Sequence, residues 1–343
     1  MQILVVGGSN SLLKDGYIYH FARKMTDEYG EVEIVNRSVG GTTSLTSLAL
    51  LDTLESRPDL IILEYSLNDT GHINHLADAY QKKWEMLEKL YGFMAVKFKD
   101  VPVLPLLLAS DPFYDISVVN NVYKAEKDFY ERHGLIHQDM RVEFHEYFGG
   151  QKPSFLYSDL AHFHRGFASA LIGRPLAQSA QRILSMPKGT NVYQSSSDNA
   201  LAITHAAALP NSAGLTIERA ANRHLQLDCI VVGHDTSALI HLPGWPVCLY
   251  IASDILHTDL SLEINGQTFE FATIHCDCQE GKLIFTSVPL FLNERFMAIK
   301  QPGPTRIKLS LSRGAEKWTF DCLKGESDAS PERRVRIAAI ATE

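Results

Sequence analysis

Cysteine is scarce in this 343-residue chain: there are five, Cys229, Cys248, Cys276, Cys278 and Cys322, all in the second half. An odd, one-sided set gives no disulfide framework and suits a reducing compartment. Cys276-Asp277-Cys278 lacks the spacing of a zinc pair, and no second pair completes it. No metal and no other cofactor is therefore expected. Positive charge is also in short supply. Against 40 Asp and Glu stand 32 Lys and Arg, a net charge of −8. A phosphate-binding surface wants the opposite balance, which argues against nucleic acid as the main partner. No apolar run approaches the roughly 20 residues that span a bilayer, so no membrane span is expected. The apolar run at the amino terminus is very short, and no basic region precedes it. A signal peptide is thus not expected, and the chain reads as cytoplasmic.

What the chain does have is a hydrophobic content of 45%, enough for a sizeable core, and a length that favours two domains. The first half alternates strand and helix signals. Ile3–Val6 reads as a buried strand. Tyr17 to Tyr29 follows as a helix with Ile18, Phe21 and Met25 on one face. Val32–Val35 is a short second strand, and Ser44 to Glu55 a helix with leucines at positions 45, 48, 51 and 54. Leu60–Leu63 is a third strand whose uninterrupted apolar run suits a central parallel position. Leu76 to Phe98 reads as a long helix, Val101–Leu108 as a fourth strand, and Val118 to His133 and Arg165 to Leu184 as further helices. This rhythm predicts an α/β three-layer sandwich with a mostly parallel sheet over residues 1–187. Loops at the carboxyl ends of its strands are then the default site.

The character changes near Met186-Pro187. Lys188 to Asn199 is polar and serine-rich, as linkers are, and 188–224 is set aside as linker and ambiguous sequence, Leu201 to Arg223 being the ambiguous part. From residue 225 to 343 short runs replace the helix rhythm: Leu227–Val232, Ala238–Leu242, Cys248–Ile251, Leu260–Ile264, Thr268–Ala272, Leu283–Val288, Arg306–Leu311, Trp318–Leu323 and Val335–Ala341. Asn265-Gly266, Glu280-Gly281 and Arg313-Gly314 punctuate them, and Asn265-Gly266 between alternating runs marks a hairpin. The series predicts an all-β sandwich, jelly-roll-like in character.

Four short segments carry chemistry. Gly7-Gly8-Ser9-Asn10-Ser11 follows the first strand. A serine at a strand-to-turn-to-helix junction is exposed, and nearby backbone N–H groups can face an oxyanion. Asn36-Arg37-Ser38-Val39-Gly40-Gly41-Thr42-Thr43 follows the second strand. Glu64-Tyr65-Ser66-Leu67-Asn68-Asp69 follows the third. Ser158-Asp159-Leu160-Ala161-His162 precedes the last helix. A serine hydroxyl is a poor nucleophile until a base takes its proton. His162 is the candidate base, and Asp159 can hold one imidazole nitrogen while the other faces Ser9.

In this order and context the four blocks resemble the SGNH hydrolases, the GDSL-type esterases and lipases, over roughly residues 1–184. The resemblance implies a flavodoxin-like fold and ester hydrolysis through an acyl-serine intermediate. It also implies an oxyanion hole made of the Ser9 backbone N–H, the Gly41 backbone N–H and the Asn68 amide. Gly41 suits that part because a backbone without Cβ lets substrate approach, and Asn68 because an amide donates without adding charge. Two positions depart from the pattern. Gly8 stands where the family has the Asp of Gly-Asp-Ser, which bears on the type of substrate. Ser66 stands where it has the Gly of Gly-x-Asn-Asp, narrowing the pocket or adding a hydrogen bond.

Competing readings attach to the same residues. Ser9 can be a turn or cap serine, with Ser11 the nucleophile, and Asn68-Asp69 can be a capping pair. Asp159 can cap a turn while His162 packs in the core, and His164 is a rival base. A metal cluster of these histidines with His72 or His75 lacks a metal-site spacing. Glu64 has no role that the sequence reveals. Trp245 and Trp318 are either buried or sugar platforms, and Trp84 reads as packing. The substrate class that fits the appended β domain is an acylated carbohydrate or other small ester. The alternatives are an acyltransferase that passes the acyl group to a saccharide from the same serine, and a non-catalytic carbohydrate-binding or assembly protein.

Overall fold

The computed structural model describes residues 1–194, 201–209, 215–222, 225–312, 317–320, 323–324 and 332–343. Residues 195–199 of the polar linker, Arg223, the Arg313-Gly314 turn, residues 321–322 of the Trp318–Leu323 run and hence Cys322 lie outside them. The chain divides into two compact units, Met1–Asn199 and Ala200–Glu343.

The first unit is built on five parallel strands, β1 (Gln2–Gly7), β2 (Glu33–Asn36), β3 (Leu60–Glu64), β4 (Val103–Leu107) and β5 (Gln138–Asp139), in the order β2-β1-β3-β4-β5. β1, β3 and β4 are apolar and buried along almost their whole length, as strands covered on both faces must be. Among its described residues this unit has seven helices: α1 (Tyr17–Tyr29), α2 (Thr46–Asp52), α3 (Ser66–Ile73), α4 (Ala79–Lys97), α5 (Asn121–Arg132), α6 (Met140–Tyr147) and α7 (Phe167–Leu184). Ile3 and Val5 of β1 and Ile62 of β3 pack into one core with Phe21 and Met25 of α1 and Ile172 and Leu176 of α7. Gly173 makes that packing close, since a Cβ there would stand 2.4 Å from the Tyr17 carbonyl oxygen. Elsewhere in the unit Trp84 of α4 packs edge-on against Phe129 of α5, ring centroids 5.2 Å apart. The strand order reverses between β1 and β3, and in such sheets ligands sit beyond the carboxyl ends at that point.

Some elements differ from the sequence reading. The helix expected over Ser44–Glu55 covers only Thr46–Asp52. The helix expected from Leu76 begins at Ala79, and α3 precedes it. α3 escaped notice because Ser66-Leu67-Asn68-Asp69-Thr70-Gly71 has no apolar period. Two-residue β5 is too short for any pattern, and α6 follows it directly, where no helix was expected.

The second unit is all β. β6 (Ala202–His205), β7 (Thr216–Ala221), β8 (Gln226–Gly233), β10 (Pro246–Ser253), β14 (Ile284–Val288) and β17 (Arg334–Thr342) form one antiparallel sheet around β17. β9 (Ala238–Leu242), β11 (Leu260–Ile264), β12 (Gln267–Phe271) and β15 (Thr305–Leu311) form a second. β13 (Ile274–His275) and β16 (Leu323–Lys324) make a small pair, and one short helix, α8 (Glu294–Met297), follows β14. The hairpin at Asn265-Gly266 joins β11 to β12, both residues taking positive φ. Strands β6 and β7 arise from the stretch left ambiguous above. Trp245 is not a sugar platform: it is 1% exposed and packs on Phe296 with ring centroids 5.1 Å apart. Trp318 is half-buried and stacks on Phe320. Trp84 is buried, as packing requires. No helix among the described residues is long and apolar enough to cross a membrane.

Behind α3 lies a buried charge cluster. Lys83 of α4 pairs with Asp69 of α3, and at 2.8 Å with Glu126 of α5. Burial draws the Lys83 ammonium down, but the two carboxylates outweigh it and hold its pKa above the ordinary value. Removing one partner from such a group leaves uncompensated buried charge, typically at a cost of about 3–5 kcal/mol. Lys83→Met is expected to lose stability of that order in urea denaturation. A loss below about 1 kcal/mol would show that the cluster does not brace these helices.

Candidate active site

β1 ends at Gly7, and Ser9 opens a short 3₁₀ turn, Ser9–Leu12. The first N–H groups of such a turn precede its first internal bond and point outward. Gly7 and Gly8 are demanded by crowding. A Cβ on Gly7 would stand 2.3 Å from Ser11 Oγ, and one on Gly8 would stand 1.8 Å from Asn68 Oδ1. The Asn68 side chain thus fills the space that a Cβ at position 8 would need.

His162 reaches this turn from a loop 153 residues later. Its Nε2 lies 2.8 Å from Ser9 Oγ. Its Nδ1 lies 3.0 and 2.9 Å from the two Asp159 carboxylate oxygens. Asp159 Oδ1 also accepts the backbone N–H groups of Ala161 and His162, each at 2.8 Å. Partial burial draws the Asp159 carboxyl up, but these hydrogen bonds and the His162 ring outweigh it and hold its pKa below the usual value. The carboxylate therefore stays charged and favours the tautomer in which Nδ1 donates to it. Nε2 is left free to accept from the hydroxyl, the arrangement that activates a serine.

The remaining blocks converge on the same turn. Gly40 lies against Ser9, where a Cβ would be 3.0 Å from the Ser9 Cβ, and Gly41 follows with φ of 70°. Asn68, in the first turn of α3, is buried beside Gly8. Asn36 ties two of the blocks together. Its amide donates to the Ser11 carbonyl at 2.7 Å and accepts the Ser38 N–H at 3.0 Å. Ser66 donates its hydroxyl to the Leu108 carbonyl at 2.9 Å and accepts the Leu108 N–H at 2.7 Å. Of the two roles considered for it, the structure gives the hydrogen bond. A cleft of about 370 Å³ opens beside His162, lined also by Leu13, Ser158, Phe163, His164 and Arg165.

The rival residues are placed differently. Ser11 is buried, and its hydroxyl is held by Glu64 and Tyr17 at 2.8 and 2.6 Å. His164 lines the cleft but is exposed. His72 sits in the last turn of α3 and His75 beyond it. Among the described residues, one group of metal-ligating side chains comes together, His275, Cys276 and Asp277 of the second unit, with ligand atoms within 4.8 Å of one another. They are consecutive in sequence, and His275 Nδ1 accepts the Asp277 N–H at 3.1 Å.

No family model matches the chain, and no curated protein matches it in sequence. Solved structures do match. A two-domain esterase (CEX) active on acetylated mannans aligns with 100% of this chain and 91% of its own, at 13% identity and a TM-score of 0.64. The same esterase co-crystallised with mannopentaose gives 13% identity and a TM-score of 0.63, with the same coverage. LAE5, an α/β hydrolase enzyme from the metagenome of Lake Arreo, Spain, aligns with 54% of this chain and 96% of its own, at 18% identity and a TM-score of 0.44. The first unit has an α/β fold with a parallel sheet, and the second is an all-β domain, the two-domain arrangement that the whole-chain alignment shares.

One residue near the site, Glu64, had no function in the sequence reading. It ends β3, fully buried, and its Oε2 accepts from Ser11 Oγ at 2.8 Å and from the Gly8 N–H at 3.3 Å. Its Oε1 has no hydrogen-bond partner among the described residues. Burial pushes the carboxyl up to about 8, against the pull of the bonds from Ser11 and Gly8 and with a further push from Glu126 and Asp69. Glu64 is thus held largely in its protonated form at neutral pH, beneath the turn. The folded chain keeps this proton between the ordinary value of 4.5 and about 8, where the unfolded chain has lost it. Stability must therefore fall as pH rises across that window. The wild-type urea midpoint is expected to drop between pH 5 and 8 more steeply than that of Glu64→Gln. Parallel curves would contradict the buried acid.

Proposed function

We propose that the chain is a serine esterase that removes the acyl group of an acylated saccharide through an acyl-serine intermediate. The observation that carries this reading is the Ser9–His162–Asp159 relay, 2.8 Å at its first link, standing at the carboxyl end of β1 beside the Gly40-Gly41 loop and Asn68. In the first step Ser9 Oγ attacks the ester carbonyl carbon while His162 Nε2 takes the hydroxyl proton. The negative charge that develops on the carbonyl oxygen is met by the Ser9 and Gly41 N–H groups and the Asn68 amide. One such donor is commonly worth about 10²–10³ in rate. Asp159 stabilises the imidazolium. The tetrahedral intermediate collapses as His162 returns the proton to the departing alcohol oxygen. A water then attacks the acyl-serine with His162 again as base, which frees the acid and restores Ser9.

The saccharide class draws on the likeness of the whole chain to the two-domain esterase active on acetylated mannans, so acetyl is the acyl group of choice. Hydrolysis is preferred to transfer because the relay is wet: the His162 and Asp159 side chains are 32% and 55% exposed. An acyltransferase must keep water from its acyl-enzyme, and this loop does not. A cytoplasmic location agrees with the scarcity and odd number of the cysteines.

Acetate release from acetylated mannan oligosaccharides, followed by the free acid, tests the reading. Wild-type protein is expected to turn the substrate over. Ser9→Ala should lower kcat by at least about 10³-fold with an unchanged melting temperature. Activity that survives in Ser9→Ala and disappears in Ser11→Ala would overturn the assignment.

A further inference from the structure

Asn10 follows the proposed nucleophile directly, is 2% exposed and takes no part in the relay. Its side-chain Nδ2 donates to the Ala161 carbonyl at 3.0 Å, and its Oδ1 accepts the Phe163 N–H at 3.1 Å. Those two backbone groups flank His162 on either side. One buried amide therefore grips the main chain before and after the imidazole-bearing residue, and it does so from the turn that carries Ser9.

The rest of the loop is anchored elsewhere. It closes on itself through the Ser158 N–H to the His162 carbonyl at 2.8 Å and the His164 N–H to the Leu156 carbonyl at 3.0 Å. It is tied to the stretch after β4 by the Asp111 N–H to the Leu160 carbonyl at 3.0 Å and by the Tyr157 hydroxyl to the Ala109 carbonyl at 2.8 Å. None of these bonds refers to the Ser9 turn. Asp159 orients the imidazole ring but moves with it, because both belong to the same loop. Among the described hydrogen bonds, only those of Asn10 and the Ser9–His162 contact itself link the loop to that turn.

We propose that Asn10 is a positioning residue whose amide sets the distance and angle between the His162 imidazole and Ser9 Oγ. The inference rests on the esterase reading given above. The chemistry of the side chain is specific. The grip needs one donor and one acceptor in a plane, which an amide supplies. An aspartate of the same size keeps the acceptor for Phe163 but sets a carboxylate against the Ala161 carbonyl. A leucine of similar volume loses both bonds. Losing the grip lets the base drift, and misplacement by about 1 Å can cost roughly 10²-fold in rate.

The test compares wild type, Asn10→Asp, Asn10→Leu and Ser9→Ala, each at a temperature where its own melt shows it folded. Competent sites are counted by end-point labelling with a fluorophosphonate probe, and acetate release from an acetylated mannan oligosaccharide is expressed per labelled site. A merely structural Asn10 would change the number of competent sites and leave turnover per site alone. Positioning predicts that both Asn10 variants lose about 10- to 100-fold in kcat per site, with KM within about 3-fold of wild type. The rate constant for fluorophosphonate inactivation should fall in the same proportion, because it too needs the base near Ser9. If the leucine variant melts too early to assay, the aspartate variant, which keeps one of the two bonds, decides the question. Per-site kcat within about 2-fold of wild type in the variants assayed would overturn the inference and leave the esterase reading standing. Wild-type protein that releases no acetate and takes no label at Ser9 would instead overturn the esterase reading and this inference with it.

Discussion

The hydrogen bond between Ser9 Oγ and His162 Nε2 spans 153 residues of sequence and 2.8 Å of space. For it to exist, the parallel sheet must form in the order that places β1 beside β3, and α1 must pack on α7. The loop between α6 and α7 must then return over the end of β1. Each condition is met by burial of apolar surface far from the chemistry: Ile3 and Val5 under Phe21, and Gly173 against the backbone of α1. The hydroxyl and the imidazole contribute little to the stability of that assembly. They are held where they are by a fold that other residues stabilise, the usual relation between a site and its scaffold.

Between scaffold and site lies a layer of buried polar side chains, each joining two of the motif blocks. Asn36 joins the Ser9 turn to the glycine loop, and Asn10 joins the turn to the His162 loop. Glu64 and Ser11 fasten the end of β1 to the end of β3. Ser66 fastens β3 to β4. Asp69 takes the Ser44 N–H at 2.9 Å while Lys83 holds it from behind. A buried polar group without a partner is costly, so each pairing selects one arrangement of the loops against its neighbours. Glu64 carries the tension of such a design. It is deeply buried, it is held mostly in its neutral form, and one of its oxygens has no hydrogen-bond partner among the described residues.

Much of this was legible beforehand, for physical reasons. Ile3–Val6 and Leu60–Leu63 are continuous apolar runs because both faces of a central strand are covered, and Ala238–Leu242 and Leu260–Ile264 fall on strands with those same bounds. Ser9, Asp159 and His162 stood out because chemistry limits which residues can do the work at that spacing. What escaped was decided by contacts distant in sequence. α3 is a polar helix that buries its side chains against α5 and the charge cluster, and no local period announces that. Strands β6 and β7 pair with β17 and β8, partners that local pattern does not reveal. Trp245 looked the same whether buried or exposed until Phe296 was found against it. Asn10 stood in the first motif without a role of its own, since its meaning lies in two peptide groups more than 150 residues away.

The account turns on whether Ser9 is the group that takes the acyl unit, and peptide mapping by mass spectrometry asks that directly. Wild-type protein is quenched in acid during turnover of an activated acetyl ester, digested, and searched for the added acetyl mass. The account predicts the modification on the amino-terminal peptide at Ser9. Acetyl mass on any other serine, or turnover with no acyl-protein formed under any quench, would contradict it.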